Sequence, residues 1–136
     1  MTAPSSGTPN LGDLQAAIEP RLGQVENELR RMFAVRGQHV RETILPSLQA
    51  GAWVISDRFT DSSYAYQGGG RGLSEQLIGE LERSVVCVQP GLTLLLDVGV
   101  NEGRQRASGR GSSADLSERE RDEFFERVRT TFLARP

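Results

Sequence analysis

An aspartate and an arginine stand side by side, Asp57-Arg58, directly after the short apolar run 53–56. The run begins two residues after Gly51 and precedes the charged pair, a pattern that favours a buried strand. Open α/β sheets bind their ligands at the carboxyl ends of strands, which is where this pair would lie. Arginine suits planar, bidentate recognition of phosphate, and aspartate suits a phosphate-bound Mg²⁺. The pair therefore indicates a phosphate site, with a plain ion pair at a strand end as the alternative.

The elements that would position this pair alternate between helices and strands. Apolar residues recur at steps of three and four in three long segments, which predicts helices over 25–48, 73–88 and 115–133. A shorter helix is predicted from Asp13 until Pro20 interrupts it, and Pro46 is expected to kink or end the second helix. Strands are predicted at 53–56 and 92–98, and loops at 60–72 and 101–116. Strand-helix-strand order with buried strands predicts a parallel α/β fold.

Length and composition predict one globular domain. The chain has 136 residues, 37% of them hydrophobic, and a net charge of -2. Residues 1–12 are rich in Ser, Thr, Gly and Pro and are expected to form a flexible arm, with a single domain over 13–136. No basic field would attract nucleic acid or a membrane surface, and no apolar run approaches the roughly 20 residues that span a bilayer. The single cysteine excludes an internal disulfide framework, and we expect a cytoplasmic protein.

All 16 basic residues are arginine, and the sequence has no lysine. P-loop nucleotide kinases place a lysine on the transferred phosphates within the pattern G-x-x-x-x-G-K-[ST]. That pattern is absent from the sequence. We therefore expect this chain by itself to lack ATP-dependent turnover.

Residues 57–72 resemble the signature of bacterial thymidylate kinases, with the sequence DRFTDSSYAYQGGGRG. The flanking sequences match that family as well, so the likeness covers about 29–134: MFAVRGQHV, ILPSLQAGAWVIS, PGLTLLLDV and FFERVRTTFLA. The resemblance implies a P-loop-kinase-type α/β fold, in which 53–56 and 92–98 would be strands 3 and 4 of a five-stranded parallel sheet. The chain would then hold part of that sheet, with flanking helices.

The resemblance also implies a reaction, the transfer of a phosphoryl group from MgATP to dTMP. Arg58 would hold the dTMP phosphate, and Asp57 would lie beside it near the Mg²⁺ and the transferring group. Arg106 and Arg110 match arginines of the family's lid, here in the lid-like segment 101–118, although a solvated loop is the alternative. These four residues are the predicted catalytic set.

Four further residues would recognise the nucleoside, by the same resemblance. Arg36 would donate to a thymine carbonyl, and Ser63 and Gln67 would hydrogen-bond the base. Tyr66 would crowd the sugar and favour deoxyribose over ribose. Thymine offers carbonyl acceptors and one N–H, so arginine and glutamine complement it. The alternatives are an exposed helix arginine at position 36 and simple packing for the tyrosine.

The sequence departs from the family at the stacking position. The family's base-stacking phenylalanine lies four residues before the helix arginine, a slot that holds Met32 here. Phe33 is adjacent and is the remaining aromatic candidate for contacting dTMP, but it points about 100° away around a helix. A second phosphate arginine of the family is matched here by Gln15 or a neighbour.

The resemblance leaves three functional readings open. The chain is a thymidylate kinase by family, with ATP binding in doubt. It is alternatively a non-catalytic dTMP-binding or dimerisation module, or a gene fragment without function. A homodimer through the helix 25–48 is predicted, because Met32, Phe33, Val40 and Ile44 give that helix a wider apolar face than one small domain needs to cover.

Overall fold

The structure of the chain is a computed structural model that describes residues 11–108 and 117–135. Its described elements are six α-helices: α1 Leu11–His39, α2 Leu45–Gln49, α3 Thr60–Ser63, α4 Glu75–Leu81, α5 Val100–Ser108 and α6 Ser117–Ala134. Three π-helical segments continue α1, α3 and α4: Val40–Ile44, Tyr64–Gly70 and Glu82–Val86. None of the described helices combines the length and the apolarity that crossing a membrane requires.

One nearly continuous helical rod runs from α1 through the first π-segment into α2. The interruption predicted at Pro20 is wrong, because this residue lies inside α1. Pro46 occupies the first turn of α2, directly after the π-segment. Proline lacks an N–H, and its ring clashes with the carbonyl four residues earlier in a regular helix. The wider π-turn before Pro46 accommodates the proline, and the rod ends at Gly51, whose φ is +79°.

The hydrophobic core lies between this rod and the segment that follows it. Its buried members are Leu29, Phe33, Val40, Ile44, Tyr64, Leu73, Ile78 and Val86. Three of the four residues that motivated the predicted dimer face therefore pack inside the chain itself. The fourth, Met32, is 38% exposed, and the most exposed large apolar residue of the described rod is Val35, at 67%.

The two segments predicted as strands form no strand in the described part of the chain. Residues 53–56 and 92–98 have no regular secondary structure, and except for Val54, which packs against the core, their large apolar side chains face solvent. Trp53 and Ile55 are 95% and 94% exposed, and Leu96 is 93% exposed. A strand of a parallel sheet requires neighbours for its backbone groups and cover on both faces. Neither segment has them here, so the predicted partial sheet is not confirmed.

The Gly-rich segment 60–72 was predicted to be a loop, and that prediction is wrong. It forms α3 and the π-segment Tyr64–Gly70, against which α6 packs. A Cβ at Gly69 would collide with Thr131, and one at Gly70 would collide with the ring of Phe124. The glycines thus permit the close approach of α6, and Arg127 Nη2 reinforces it by donating to the Gly70 carbonyl at 3.1 Å.

The beginning of the lid-like segment is also helical rather than a loop. It forms α5, which is tied to α6 by an ion pair of 2.7 Å between Arg104 and Asp122. The centre of the segment, including Arg110, lies outside the described residues.

Candidate functional site

A cavity of about 410 Å³ opens between α1 and the 57–67 region. Its lining residues are Met32, Arg36, Asp57, Arg58, Phe59, Ser62, Tyr66 and Gln67. Five of these were predicted as site residues from the sequence, and they come from positions up to 31 residues apart along the chain. Both the size and the mixture of polar and apolar groups are typical of a site for a small organic molecule.

Arg36 reaches the cavity from the last turn of α1. Its Nη1 donates a hydrogen bond to Ser63 Oγ at 3.2 Å. The rings of Phe33 and Phe59 lie 4.9 and 5.7 Å from the guanidinium carbon. Burial lowers the pKa of Arg36 from its ordinary value, and the negative charge of Glu82 partly offsets that effect. The guanidinium of Arg36 is thus oriented by Ser63 and has already lost part of its hydration, so it can donate to an acceptor in the cavity at little further cost.

Arg58 also lines the cavity and has an unusual backbone conformation. Its φ is +67°, a left-handed value that non-glycine residues adopt rarely and often at functional sites. Ser56 Oγ donates to the Arg58 carbonyl at 2.8 Å and supports this turn. The guanidinium carbon lies 5.3 Å from the centre of the Tyr66 ring. The side chain is solvent-accessible, as a group that captures a phosphate from solution must be.

Tyr66 lines the cavity, and two aromatic rings of α6 hold its ring in place. Its ring packs against Phe124 and Phe132 of α6, each at a centroid distance of 6.2 Å. Both predicted readings of this residue are therefore compatible with its position, since it lines the cavity and also packs against a helix.

Two buried polar atoms in the lining have no hydrogen-bond partner. They are Gln67 Oε1 and Ser62 Oγ. Buried polar atoms are nearly always paired, so unpaired ones beside a cavity are available to a ligand. Ser62 was missed by the sequence reasoning. It lies four residues before Tyr66, on the same face of a helix, but the predicted loop over 60–72 concealed that relationship.

Two of the predicted base-contacting residues do not line the cavity. Phe33 is fully buried in the core beneath Arg36, and Ser63 is fully buried and accepts the hydrogen bond from Arg36. Both residues orient the arginine. Met32, which the family comparison had placed in the stacking slot, does line the cavity and is 38% exposed.

Asp57 is the acidic residue of the cavity lining. Among the described residues there is no cluster of three or more side chains that could hold a metal ion by themselves. Mg²⁺ in phosphoryl-transfer sites is commonly held by one or two carboxylates together with substrate phosphates. The single carboxylate of Asp57 fits that arrangement.

Of the two predicted lid arginines, the structure describes Arg106, which does not line the cavity. Arg106 lies on α5, is exposed, and pairs with Glu102 one turn earlier on the same helix. Arg110 lies outside the described residues.

Comparison with known proteins identifies the family. The sequence profile described as thymidylate kinase matches residues 1–136. The chain is 56% identical to the thymidylate kinase of Nitrosospira multiformis over 111 residues, which cover 81% of this chain and 54% of that protein. It is 48% identical to the thymidylate kinase of Alkalilimnicola ehrlichii over 141 aligned residues, which cover 98% of this chain and 64% of that protein. The chain thus spans about half to two thirds of the length of these relatives. This chain belongs to the thymidylate kinase family.

Proposed function

We propose that the cavity binds dTMP and that this chain is the dTMP-binding part of a thymidylate kinase, which transfers a phosphoryl group from ATP to dTMP and forms dTDP and ADP. The observation that carries the proposal is the convergence of Arg36, Arg58 and Gln67 on one cavity. Arg36 supplies donors for a base carbonyl, Gln67 supplies an unpaired acceptor for a base N–H, and Arg58 supplies a cation for a phosphate.

The arrangement of donors and acceptors favours thymine over cytosine. Arg36 can donate to the carbonyl at position 4 of thymine, and Gln67 Oε1 can accept from the neighbouring N–H. Cytosine presents an amino group at position 4, so donor would face donor. The ring nitrogen of cytosine next to that amino group carries no hydrogen, so it has no N–H to donate to Gln67 Oε1. Discrimination of this kind is strong when the polar groups of the site are buried and would otherwise remain unpaired.

The remaining lining residues would complete the nucleotide site. Arg58 would hold the phosphate in a charge-assisted fork, and Tyr66 would lie against the sugar. Met32 would cover one face of the base as an apolar, adaptable side chain in the place of an aromatic ring. Ser62 Oγ is available for a further hydrogen bond to the nucleotide.

Asp57, together with the phosphates of the bound nucleotides, would hold Mg²⁺. When present, the ion would neutralise charge on the phosphates between donor and acceptor. Beside it, Arg58 would hold the accepting phosphate in a fixed orientation. We place Arg106 and Arg110 in the lid that would neutralise the transferring group, by their sequence match to the family.

The exposed apolar segments fit a sheet that is larger than this chain. We infer that 53–56 and 92–98 become strands of a P-loop-kinase-type sheet when they pair with polypeptide outside this sequence. The support is the exposure of apolar side chains that a sheet would cover. Trp53 and Ile55 are exposed on one side of 53–56, and the consecutive residues Leu94, Leu95 and Leu96, which would alternate between the two faces of a strand, are 80%, 48% and 93% exposed.

Two further properties follow from the family reading. The protein would act on free nucleotides in the cytoplasm. It would also form a homodimer through the 25–48 helix, where Val35 is the most exposed large apolar residue.

The proposal is tested with the full chain by titration calorimetry against dTMP, dCMP and ribothymidine monophosphate. We expect dTMP to bind tightest, dCMP to be rejected through the base and the ribonucleotide to be weakened through Tyr66. Equal affinity for all three would contradict the proposed site.

A coupled assay with ATP and dTMP tests the catalytic part of the proposal. We expect no turnover by this chain alone, because its sequence contains neither the P-loop pattern nor a lysine. Turnover at the few per second that is typical of kinases would contradict that expectation. Binding of dTMP without turnover would also fit a non-catalytic dTMP-binding module.

A further inference from the structure

A carboxylate lies inside the protein next to the candidate site but does not line it. Glu82, the first residue of the third π-segment, is only 8% exposed. The Tyr64 hydroxyl donates to its Oε2 at 2.8 Å. Its Oε1 is buried, and no atom meets hydrogen-bond geometry with it. Burying a carboxylate is costly, so its position at this point requires an explanation.

Groups from several elements face this carboxylate. Tyr64 directly follows α3 and Thr60 is the first residue of α3, while Gln89 lies just past the helix that carries Glu82. Burial raises the pKa of Glu82, but interactions with Thr60, Gln89 and Tyr64, together with the charge of Arg135, outweigh that effect and leave the pKa below its ordinary value. Of the three neutral neighbours, only the Tyr64 hydroxyl meets strict hydrogen-bond geometry.

Two arginines complete the surroundings of Glu82. Arg135, at the end of α6, lies over the Tyr64 ring with its guanidinium carbon 3.6 Å from the ring centre, and it also pairs with Asp61. The negative charge of Glu82 raises the pKa of Arg36 of α1 through space, without a direct contact. The carboxylate therefore stays ionised within a ring of polar groups that join α1, α3 and α6.

Glu82 acts on both ends of the short helix α3. The π-segment Tyr64–Gly70 continues α3, and the eleven residues together are fewer than the roughly 12–15 that an isolated helix needs in water; α3 itself covers only Thr60–Ser63. Glu82 interacts with its first residue, Thr60, and with Tyr64 immediately after its last. The last residue, Ser63, is the partner of Arg36 at 3.2 Å.

We propose that Glu82 is a positioning residue for thymine recognition: it fixes α3 through Tyr64 and Thr60, so that Ser63 holds the Arg36 guanidinium toward the base. The proposal rests on the proposed dTMP site, and it adds a residue that does not touch the ligand. Its charge also favours the ionised form of Arg36 in a half-buried position. The resulting effect is on selectivity for the base rather than on phosphate binding.

Two variants of the full chain separate the contributions of Glu82. Glu82→Gln keeps the shape and can still accept from Tyr64, but removes the charge. Tyr64→Phe keeps the charge and removes the hydrogen bond. Glu80→Gln is the matched control, because Glu80 lies two residues earlier and is exposed, where it accepts from Gln76. Ile78→Val is the control for core destabilisation, since Ile78 is fully buried away from the cavity lining.

Two readouts are used for each variant. The first is the ratio of dTMP to dCMP affinity measured by calorimetry. The second is the NMR resonance of the Arg36 Nε–H group in the chain without ligand, assigned by its loss in Arg36→Ala. A general loss of stability would move neither readout while the chain remains folded, so the pair reports specifically on the placement of Arg36.

We expect Glu82→Gln to reduce the dTMP to dCMP ratio by about tenfold and to shift the Arg36 resonance. Tyr64→Phe is expected to reduce the ratio and shift the resonance by smaller amounts. If Glu82→Gln does not fold, the result for Tyr64→Phe tests the inference alone. Both controls should match the original chain. An unchanged ratio and an unchanged resonance in the folded variants would overturn the inference. A chain that shows no base preference, but whose Arg36 resonance moves in Glu82→Gln, would instead contradict the proposed function and leave the positioning of Arg36 by Glu82 supported.

Discussion

Arg36 Nη1 donates to Ser63 Oγ at 3.2 Å, and this bond joins the last turn of α1 to α3 across 27 residues of sequence. The serine belongs to the signature motif 57–72, and the arginine lies in the helix before it. A guanidinium carries five N–H donors, and the serine occupies one of them. The bond therefore fixes the direction of the arginine while donors remain for a ligand in the cavity.

Replacing Arg58 with alanine is expected to weaken dTMP binding by about ten- to a hundredfold, because a hydrogen bond to a charged group contributes about 1.5–3 kcal/mol. Titration calorimetry measures the change. Arg71→Ala is the control, since Arg71 belongs to the same motif but pairs with Glu28 on the surface. Equal losses in both variants would mean that only overall charge matters.

Replacing Arg36 with alanine is expected to abolish the preference for dTMP over dCMP, with a smaller loss of dTMP affinity than Arg58→Ala causes. The reason is that Arg36 supplies the donor that cytosine's amino group opposes. The ratio of the two affinities is the measured quantity. Arg30→Ala, an exposed arginine of the same helix paired with Glu26, should keep the original ratio. A preserved ratio in Arg36→Ala would argue against base recognition by this residue.

Gly70→Ala and Gly23→Ala should change stability in opposite directions. A methyl group at Gly70 would collide with Phe124, so we expect a loss of about 1–3 kcal/mol in the free energy of unfolding. A methyl group at Gly23, inside α1, meets no atom within 4 Å, so a gain of about 0.5–1 kcal/mol is expected from helix propensity. Urea denaturation provides both values. A neutral Gly70→Ala would show that α6 does not pack closely on the motif.

The buried carboxylate of Glu82 predicts a loss of stability in acid. Its pKa in the folded chain lies below the ordinary value of 4.5. The stabilisation is therefore fully present above that value and disappears as the pH falls through the lowered pKa. Urea midpoints of the original chain and of Glu82→Gln, measured from neutral pH down into this acid range, should converge as the pH falls. A constant difference between them would contradict the assignment.

Self-association through the long helix remains a prediction, and it can be tested at Val35. A glutamate at this 67% exposed position should shift a dimer to monomer in sedimentation at micromolar concentration. Trp53→Ser is the comparison variant, because it removes an exposed apolar side chain from the segment 53–56 and leaves the helix unchanged. If only the tryptophan variant dissociates, the association comes from the exposed apolar segment 53–56 rather than from the helix.

The sequence alone identified the family and five of the residues that line the candidate site. The motif 57–72 resembles the family's signature closely enough that Arg58, Tyr66 and Gln67 could be named as candidate site residues from that resemblance before any coordinates. Helical periodicity was equally informative for the helices that follow and precede the motif, because a buried face repeats at 3.6 residues whatever it packs against.

Only the tertiary structure decided the rest, because it depends on contacts between residues that are far apart in sequence. Local composition favoured a loop over 60–72, yet α6 packs on its glycines and the segment becomes helical. The same kind of contact places Phe33 in the core, directs Ser63 to Arg36 and surrounds Glu82 with polar groups. The apolar segments 53–56 and 92–98 show the opposite case, since an apolar run becomes a strand only when neighbouring strands satisfy its backbone.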